Sequence, residues 1–121
     1  EIETPQELVA YVCGGDKSRV ASLAPLAGQA AAQGDRTALD IYARNGAELG
    51  ELVLAAAKRL GMETGEVALL GGLLTGDGRL REALTAWLAE RAPGLRCIEP
   101  RQDAAAGAAM LALELAAEAG R

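Results

Sequence analysis

The chain contains no histidine and no phenylalanine, and only one tryptophan, two tyrosines and two cysteines. Without an imidazole, neither a Ser-His nor a Cys-His pair is available for nucleophilic catalysis. Cys13 and Cys97 stand alone, with no CxxC spacing. That pattern argues against zinc or an iron–sulfur cluster held within one chain. A pair of free, buried thiols in a cytoplasmic protein is the simplest expectation for them. Lys and Arg form no cluster and the net charge is −5, so nucleic acid is not an expected partner. No run reaches the roughly 18 apolar residues of a membrane span. The opening Glu1-Ile2-Glu3-Thr4-Pro5 is acidic and unlike a signal peptide.

Alanine and leucine dominate the apolar half of the composition. Alanine-rich faces favour closely packed helices over a sheet-dominated core. At 121 residues the chain fits one domain, or a piece of a larger one.

Start and stop signals divide it into elements. Thr4-Pro5-Gln6-Glu7 is a capping box with proline at the first helical position. It opens a helix over about 5–13 that carries Leu8, Val9 and Val12 and ends at Gly14-Gly15. Asp16 caps a second helix, about 17–33, with Val20, Leu23, Ala24 and Ala27 at helical spacing. Pro25 inside that pattern predicts a kink or restart near Leu23. Asp35 caps the longest helix, about 36–60, whose stripe is Leu39, Tyr42, Leu49, Leu52, Val53, Ala56 and Leu60. Gly46 and Gly50 leave a smooth strip on it where another backbone could pack closely.

Strands are expected at about 66–70 and 95–98, and helices at about 79–91 and 104–119. Trp87 shares a face with Leu80, Leu84 and Leu88 and reads as core. Asp103 caps the last helix, which opens with the run Ala104 to Ala109. Two strands alone do not make a stable sheet, so further strands are expected from upstream or from a partner.

The stretch Val67-Ala68-Leu69-Leu70-Gly71-Gly72 concentrates the functional signal. Val67 to Gly71 carries no charge and suits a strand buried on both faces. Gly71 and Gly72 permit a sharp turn and close approach of a flat ligand. Ligands of α/β proteins commonly sit at the carboxyl end of a strand, beside the next helix. Gly71 and Gly76 have the glycine separation of a P-loop, but Asp77 and Gly78 stand where lysine and serine or threonine are needed. The dinucleotide glycine spacing is absent too. A nucleotide here would therefore be held by its base or ribose rather than by its phosphates. Taken alone, the glycine pair is equally well explained as a tight strand-to-helix turn.

This order of elements resembles a known group. The Ala24-Pro25 helix, the Leu70-Gly71-Gly72 turn and Gly107-Ala108 on a closing helix carry the likeness, together with Ser18 to Leu26 and Gln33-Gly34-Asp35. It is similar to the C-terminal part of the BadF/BadG/BcrA/BcrD-type ATPases and the related N-acetylglucosamine and glucosamine kinases, within the actin–hexokinase–sugar kinase superfamily. The resemblance implies an α/β fold: the helix-rich C-terminal portion of a ribonuclease-H-like, actin-like ATPase domain with an incomplete sheet. It implies ATP as cofactor, and the adenosine motif falls on Leu70, Gly71, Gly72 and Leu73, with Leu74 on the adenine wall. Arg79 lies near enough to reach a nucleotide, though an exposed helix-start arginine explains it more simply.

The family's phosphate loops and catalytic aspartate lie upstream of the matching region. Asp16, Asp35, Asp40, Asp77 and Asp103 read instead as caps, turns or solvated helix residues. No catalytic residue, and no ligand for the parent enzyme's Mg2+, is assigned in this chain. Phosphoryl transfer needs such positioning and charge neutralisation. The chain is thus expected to be the adenine-side subdomain of an ATP-dependent amino-sugar kinase, inactive by itself. The dehydratase-activating variant of the family needs closely spaced cysteines, which Cys13 and Cys97 are not. The alternative is a non-catalytic helical module that dimerises through the Gly46/Gly50 strip and the Ala104 to Ala109 run.

Overall fold

The computed structural model describes residues 2–76 and 78–120. Two compact units divide within one long helix, after Ile41.

In the first unit α1 (Pro5–Cys13) opens with the full capping box. Thr4 Oγ1 accepts from the Glu7 N–H at 3.3 Å, and Glu7 Oε2 accepts from the N–H groups of Glu3 and Thr4 at 2.8 and 3.0 Å. These two donated bonds hold the Glu7 carboxyl below its ordinary range. Asp16 Oδ1 caps α2 (Lys17–Ala21) by accepting from the Arg19 N–H. Pro25 then sits in the first turn of α3 (Ala24–Ala32). One expected helix is therefore two, with the break at Ser22 and Leu23. Asp35 Oδ1 accepts from the Ala38 N–H at 2.8 Å at the start of α4 (Arg36–Arg59). Little of this unit is buried: Gly28, Ala31 and Ala38, with Val9, Val20 and Leu26 left exposed.

The second unit takes the rest of α4, then β1 (Gly65–Ala68), α5 (Gly72–Thr75), α6 (Arg79–Arg91), β2 (Leu95–Ile98) and α7 (Ala104–Ala119). The strands run parallel in the register Gly65↔Leu95 to Ala68↔Ile98. Glu66 pairs with Arg96 across the sheet, and Arg81 of α6 with Glu99 just beyond β2. The core is Leu69, Leu84 and Leu88, with Leu49, Val53, Val67 and Trp87 packed against it. Arg91 covers the outer face of the Trp87 ring at 4.6 Å, so the tryptophan is half-buried at the core margin.

Several expectations need correction. The strand starts at Gly65, and only its Leu69 end is buried; Glu66, Ala68 and Leu70 are exposed. Among the described residues no element covers the face that Glu66, Ala68 and Leu70 share. On α4 the packed face is Gly46, Leu49, Gly50, Val53 and Ala57, whereas Leu39, Leu52 and Leu60 are exposed.

The Gly46/Gly50 strip is not free for a partner. A Cβ on Gly46 would sit 2.6 Å from the Ala83 Cβ, and one on Gly50 would fall on the Trp87 ring. Helix α6 of the same chain occupies it. Cys13 is exposed rather than buried, at the end of α1, and Cys97 is half-buried on β2; both are free. Helix α7 buries no residue, and its Met110, Leu111, Leu113 and Leu115 face solvent.

Candidate functional site: the glycine turn after β1

The ladder outlasts the strand by one residue: the Leu69 N–H donates to the Ile98 carbonyl at 3.2 Å. Leu69 is buried by that anchor, and Leu70 emerges half exposed. Gly71 then adopts φ +104°, ψ 149°, a conformation closed to side-chain-bearing residues. This reverses the chain sharply enough that the Gly71 carbonyl accepts from the N–H groups of Leu74 and Thr75 at 3.0 and 3.1 Å. The Thr75 hydroxyl donates to the same oxygen at 3.1 Å. What reads from sequence as a loop is thus one helical turn, α5. Gly78, in the left-handed region with φ +80°, starts α6, and its carbonyl accepts from the Glu82 N–H.

Leu70, Gly71, Gly72, Leu73 and Leu74 together line an open depression of about 270 Å³. Leu49 of α4 and Leu80 of α6 complete its wall. Those two were missed as site residues because they come from other elements. Leu49 belongs to the α4 stripe and Leu80 to the α6 stripe, so each was visible as an apolar face residue without its destination. Both glycines look into open space: a Cβ on either would meet nothing within 4 Å. Among the described residues no charged side chain lines the depression. Among the described residues its lining is aliphatic side chains and glycine backbone.

Arg79, the first residue of α6, is half-buried and already engaged in an interaction of its own, rather than an exposed helix-start arginine. Asp77 lies outside the described residues. Asp16, Asp35 and Asp103 are helix caps, and Asp40 lies exposed on α4. Among the described residues no group of Cys, Asp and Glu is placed to hold a metal ion. No helix among them is long and apolar enough to cross a membrane.

Chemically, the depression can receive a flat apolar ring edge-on or face-on and offer it backbone hydrogen bonds. Among the described residues its lining offers no cation to neutralise a polyphosphate. Residues 3–112 match the sequence profile of the BadF/BadG/BcrA/BcrD ATPase family. Neither a curated protein nor a solved structure gives a significant match.

Proposed function

The chain belongs to the BadF/BadG/BcrA/BcrD ATPase family, and from that premise we infer that it is the adenine-side subdomain of an ATP-dependent amino-sugar kinase. In this proposal it forms the helix-rich end of a ribonuclease-H-like, actin-like domain whose sheet is completed by other strands. Leu70, Gly71, Gly72, Leu73 and Leu74 contact the adenosine moiety, and Leu49 and Leu80 close the wall around them.

The observation that carries this is the depression at the glycine turn. Its volume, about 270 Å³, falls just below the roughly 300–1,000 Å³ of pockets that enclose a whole drug-sized ligand. It suits one flat base. Its aliphatic lining gives a base apolar contact on burial, and Gly72 leaves the approach open. With no cation lining it among the described residues, this reading has the phosphates held elsewhere, together with Mg2+ and the general base that phosphoryl transfer requires. The chain alone is accordingly a nucleotide-binding part without phosphotransferase activity.

Calorimetric titration tests this with three ligands: adenosine, ATP and inorganic tripolyphosphate. Adenosine and ATP should bind weakly and about equally, tripolyphosphate not at all, and Gly72→Val should abolish both interactions. The added side chain meets no protein atom within 4 Å at its Cβ, so lost binding would report blocked access rather than a damaged fold. Tripolyphosphate binding as well as ATP does, or adenosine binding that survives the valine, would refute this placement of the nucleotide. The amino-sugar acceptor is tested separately, by ADP release from the whole enzyme with glucosamine or N-acetylglucosamine against glucose.

A further inference from the structure

The second unit carries another depression, of about 680 Å³. It lies where the strands begin, beside Leu95 and the loops that lead into β1 and β2. The glycine turn follows the other end of β1, and the two depressions share no lining residue. A volume of this size falls within the roughly 300–1,000 Å³ of pockets that enclose a small organic ligand.

Backbone bonds hold its walls in place. Gly61, in the left-handed region with φ +65°, ends α4. The Met62 N–H donates to the Ala57 carbonyl at 2.9 Å and the Gly61 N–H to the Lys58 carbonyl at 3.2 Å, the two bonds of a Schellman turn. That turn brings Ala57 and Met62 into one wall. On the other side, the Gly65 N–H donates to the Gly94 carbonyl at 2.9 Å and the Leu95 N–H to the Ala92 carbonyl at 2.8 Å. A Cβ on Gly94 would fall on the Glu63 carbonyl, so the two loops touch with no side chain between them. The shape needs no ligand to form it.

The lining has two parts. Leu54, Ala57, Met62, Ala92, Pro93 and Leu95 make it largely apolar. Lys58, in the last turn of α4, and Arg91, at the end of α6, add two cations, and Glu63 adds one carboxylate. Lys58 makes no ion pair among the described residues. The Schellman bonds already satisfy the Ala57 and Lys58 carbonyls, so its ammonium is not needed as a cap. Arg91 lies over the Trp87 ring at 4.6 Å and meets only Glu90, in an exposed pair at 3.4 Å, which holds it weakly.

We propose that this depression binds an amphiphilic monocarboxylate, with its aliphatic chain on the apolar wall and its carboxylate at Lys58 and Arg91. The planar guanidinium matches a carboxylate in two parallel hydrogen bonds, and the ammonium adds a point charge. Lys58 and Arg91 against Glu63 leave one net positive charge in the lining, which one negative charge balances. A phosphate dianion would be repelled by Glu63. An uncharged chain would leave the cations unused, and an amine would meet two like charges.

The test uses Trp87, the single tryptophan, as a reporter on Arg91. Butanoate, hexanoate and octanoate are titrated below micelle-forming concentrations, with octylamine and octyl phosphate for comparison. Fluorescence should change saturably with the carboxylates, and affinity should rise about twofold to fourfold per methylene. Octyl phosphate should bind more weakly than octanoate, and octylamine not at all. Lys58→Glu, at an exposed position, turns the net charge of the lining from positive to negative. It should weaken octanoate by about tenfold or more and admit octylamine. NMR should place the octanoate-induced shifts on the amides of Met62, Gly94 and Leu95. Octylamine binding the unsubstituted chain as tightly as octanoate would overturn the proposal, as would octyl phosphate binding more tightly. So would octanoate affinity unchanged in Lys58→Glu. Shifts centred on the exposed Met110, Leu111, Leu113 and Leu115 of α7 would also overturn it, by assigning the effect to adsorption on that helix.

Discussion

Substituting alanine for Gly46 sets two well-characterised effects against each other. In a helix interior, Gly→Ala is worth roughly 0.5–1 kcal/mol of stabilisation through backbone entropy. Against this, the new Cβ would lie 2.6 Å from the Ala83 Cβ, 2.8 Å from the Ala83 carbonyl carbon and 2.9 Å from the Leu84 nitrogen. Two of these atoms are backbone, so no rotamer change relieves the clash; α4 and α6 must separate over the Leu84–Leu88 core. Overpacking of that kind costs about 1–3 kcal/mol, leaving a net loss near 1–2 kcal/mol. For a unit of this size that corresponds to a midpoint lower by roughly 5–15 °C. Gly107→Ala provides the control: the same chemical change on α7 meets nothing within 4 Å and should raise the midpoint by a few degrees. Thermal melts followed by far-UV circular dichroism and by Trp87 fluorescence read both, the single tryptophan reporting on the α4–α6 contact. If Gly46→Ala stabilises the chain as much as Gly107→Ala does, the intrachain packing described here is wrong. The strip would then be open to a partner after all.

Leu84→Ala and Leu88→Ala, at positions 2% and 1% exposed, should each cost about 2–5 kcal/mol by denaturant titration; a loss under about 1 kcal/mol would mean the core lies elsewhere. At the site, Gly71→Ala forces a side chain into φ +104° and should cost about 1–3 kcal/mol, whereas Gly72→Ala, with open space at its Cβ, should be nearly neutral; equal costs would refute the turn geometry. The Glu7 carboxyl is held low by the N–H groups of Glu3 and Thr4. Its contribution to α1 is therefore complete at neutral pH and is lost as pH falls through that lowered value. Protection of the Glu3 and Thr4 amides, relative to their intrinsic exchange rates at each pH, should be lost only below the ordinary carboxylate range, and its absence at neutral pH would contradict the capping box.

Signals confined to a few consecutive residues were legible in the sequence. The caps at Thr4, Asp16, Asp35 and Asp103 each make the expected bond, because a cap depends on a partner two or three residues away. Pro25 placed the restart between α2 and α3 for the same reason. The α4 face was harder. Hydrophobicity picked Leu52 and Leu60, whereas the packed side runs through Gly46 and Gly50. A helix pressed against another backbone selects for absent side chains there, and a hydrophobic stripe is blind to absence. The glycine pair did signal close approach. It carried no information on which backbone approached, and α6 of the same chain was the answer.

The same division runs through the site. Gly71 needed a positive φ and the sequence supplied glycine, so the turn could be located. The one-turn α5 stayed hidden because Gly72-Leu73-Leu74-Thr75 has no cap but the Gly71 backbone, and tertiary context holds it. The strand was expected to be covered on both faces because an uncharged run looks alike whether it is central or open. Hydrophobicity records which residues tolerate burial; whether they are buried depends on a neighbour that β1's own sequence cannot specify. Leu70 and Ala68 are apolar yet exposed on the side of β1 away from β2. Leu49, Leu70 and Leu74 line both the groove between α4 and residues 67–70 and the depression at the glycine turn. Anything seated in that groove would therefore reshape one wall of the base-sized site.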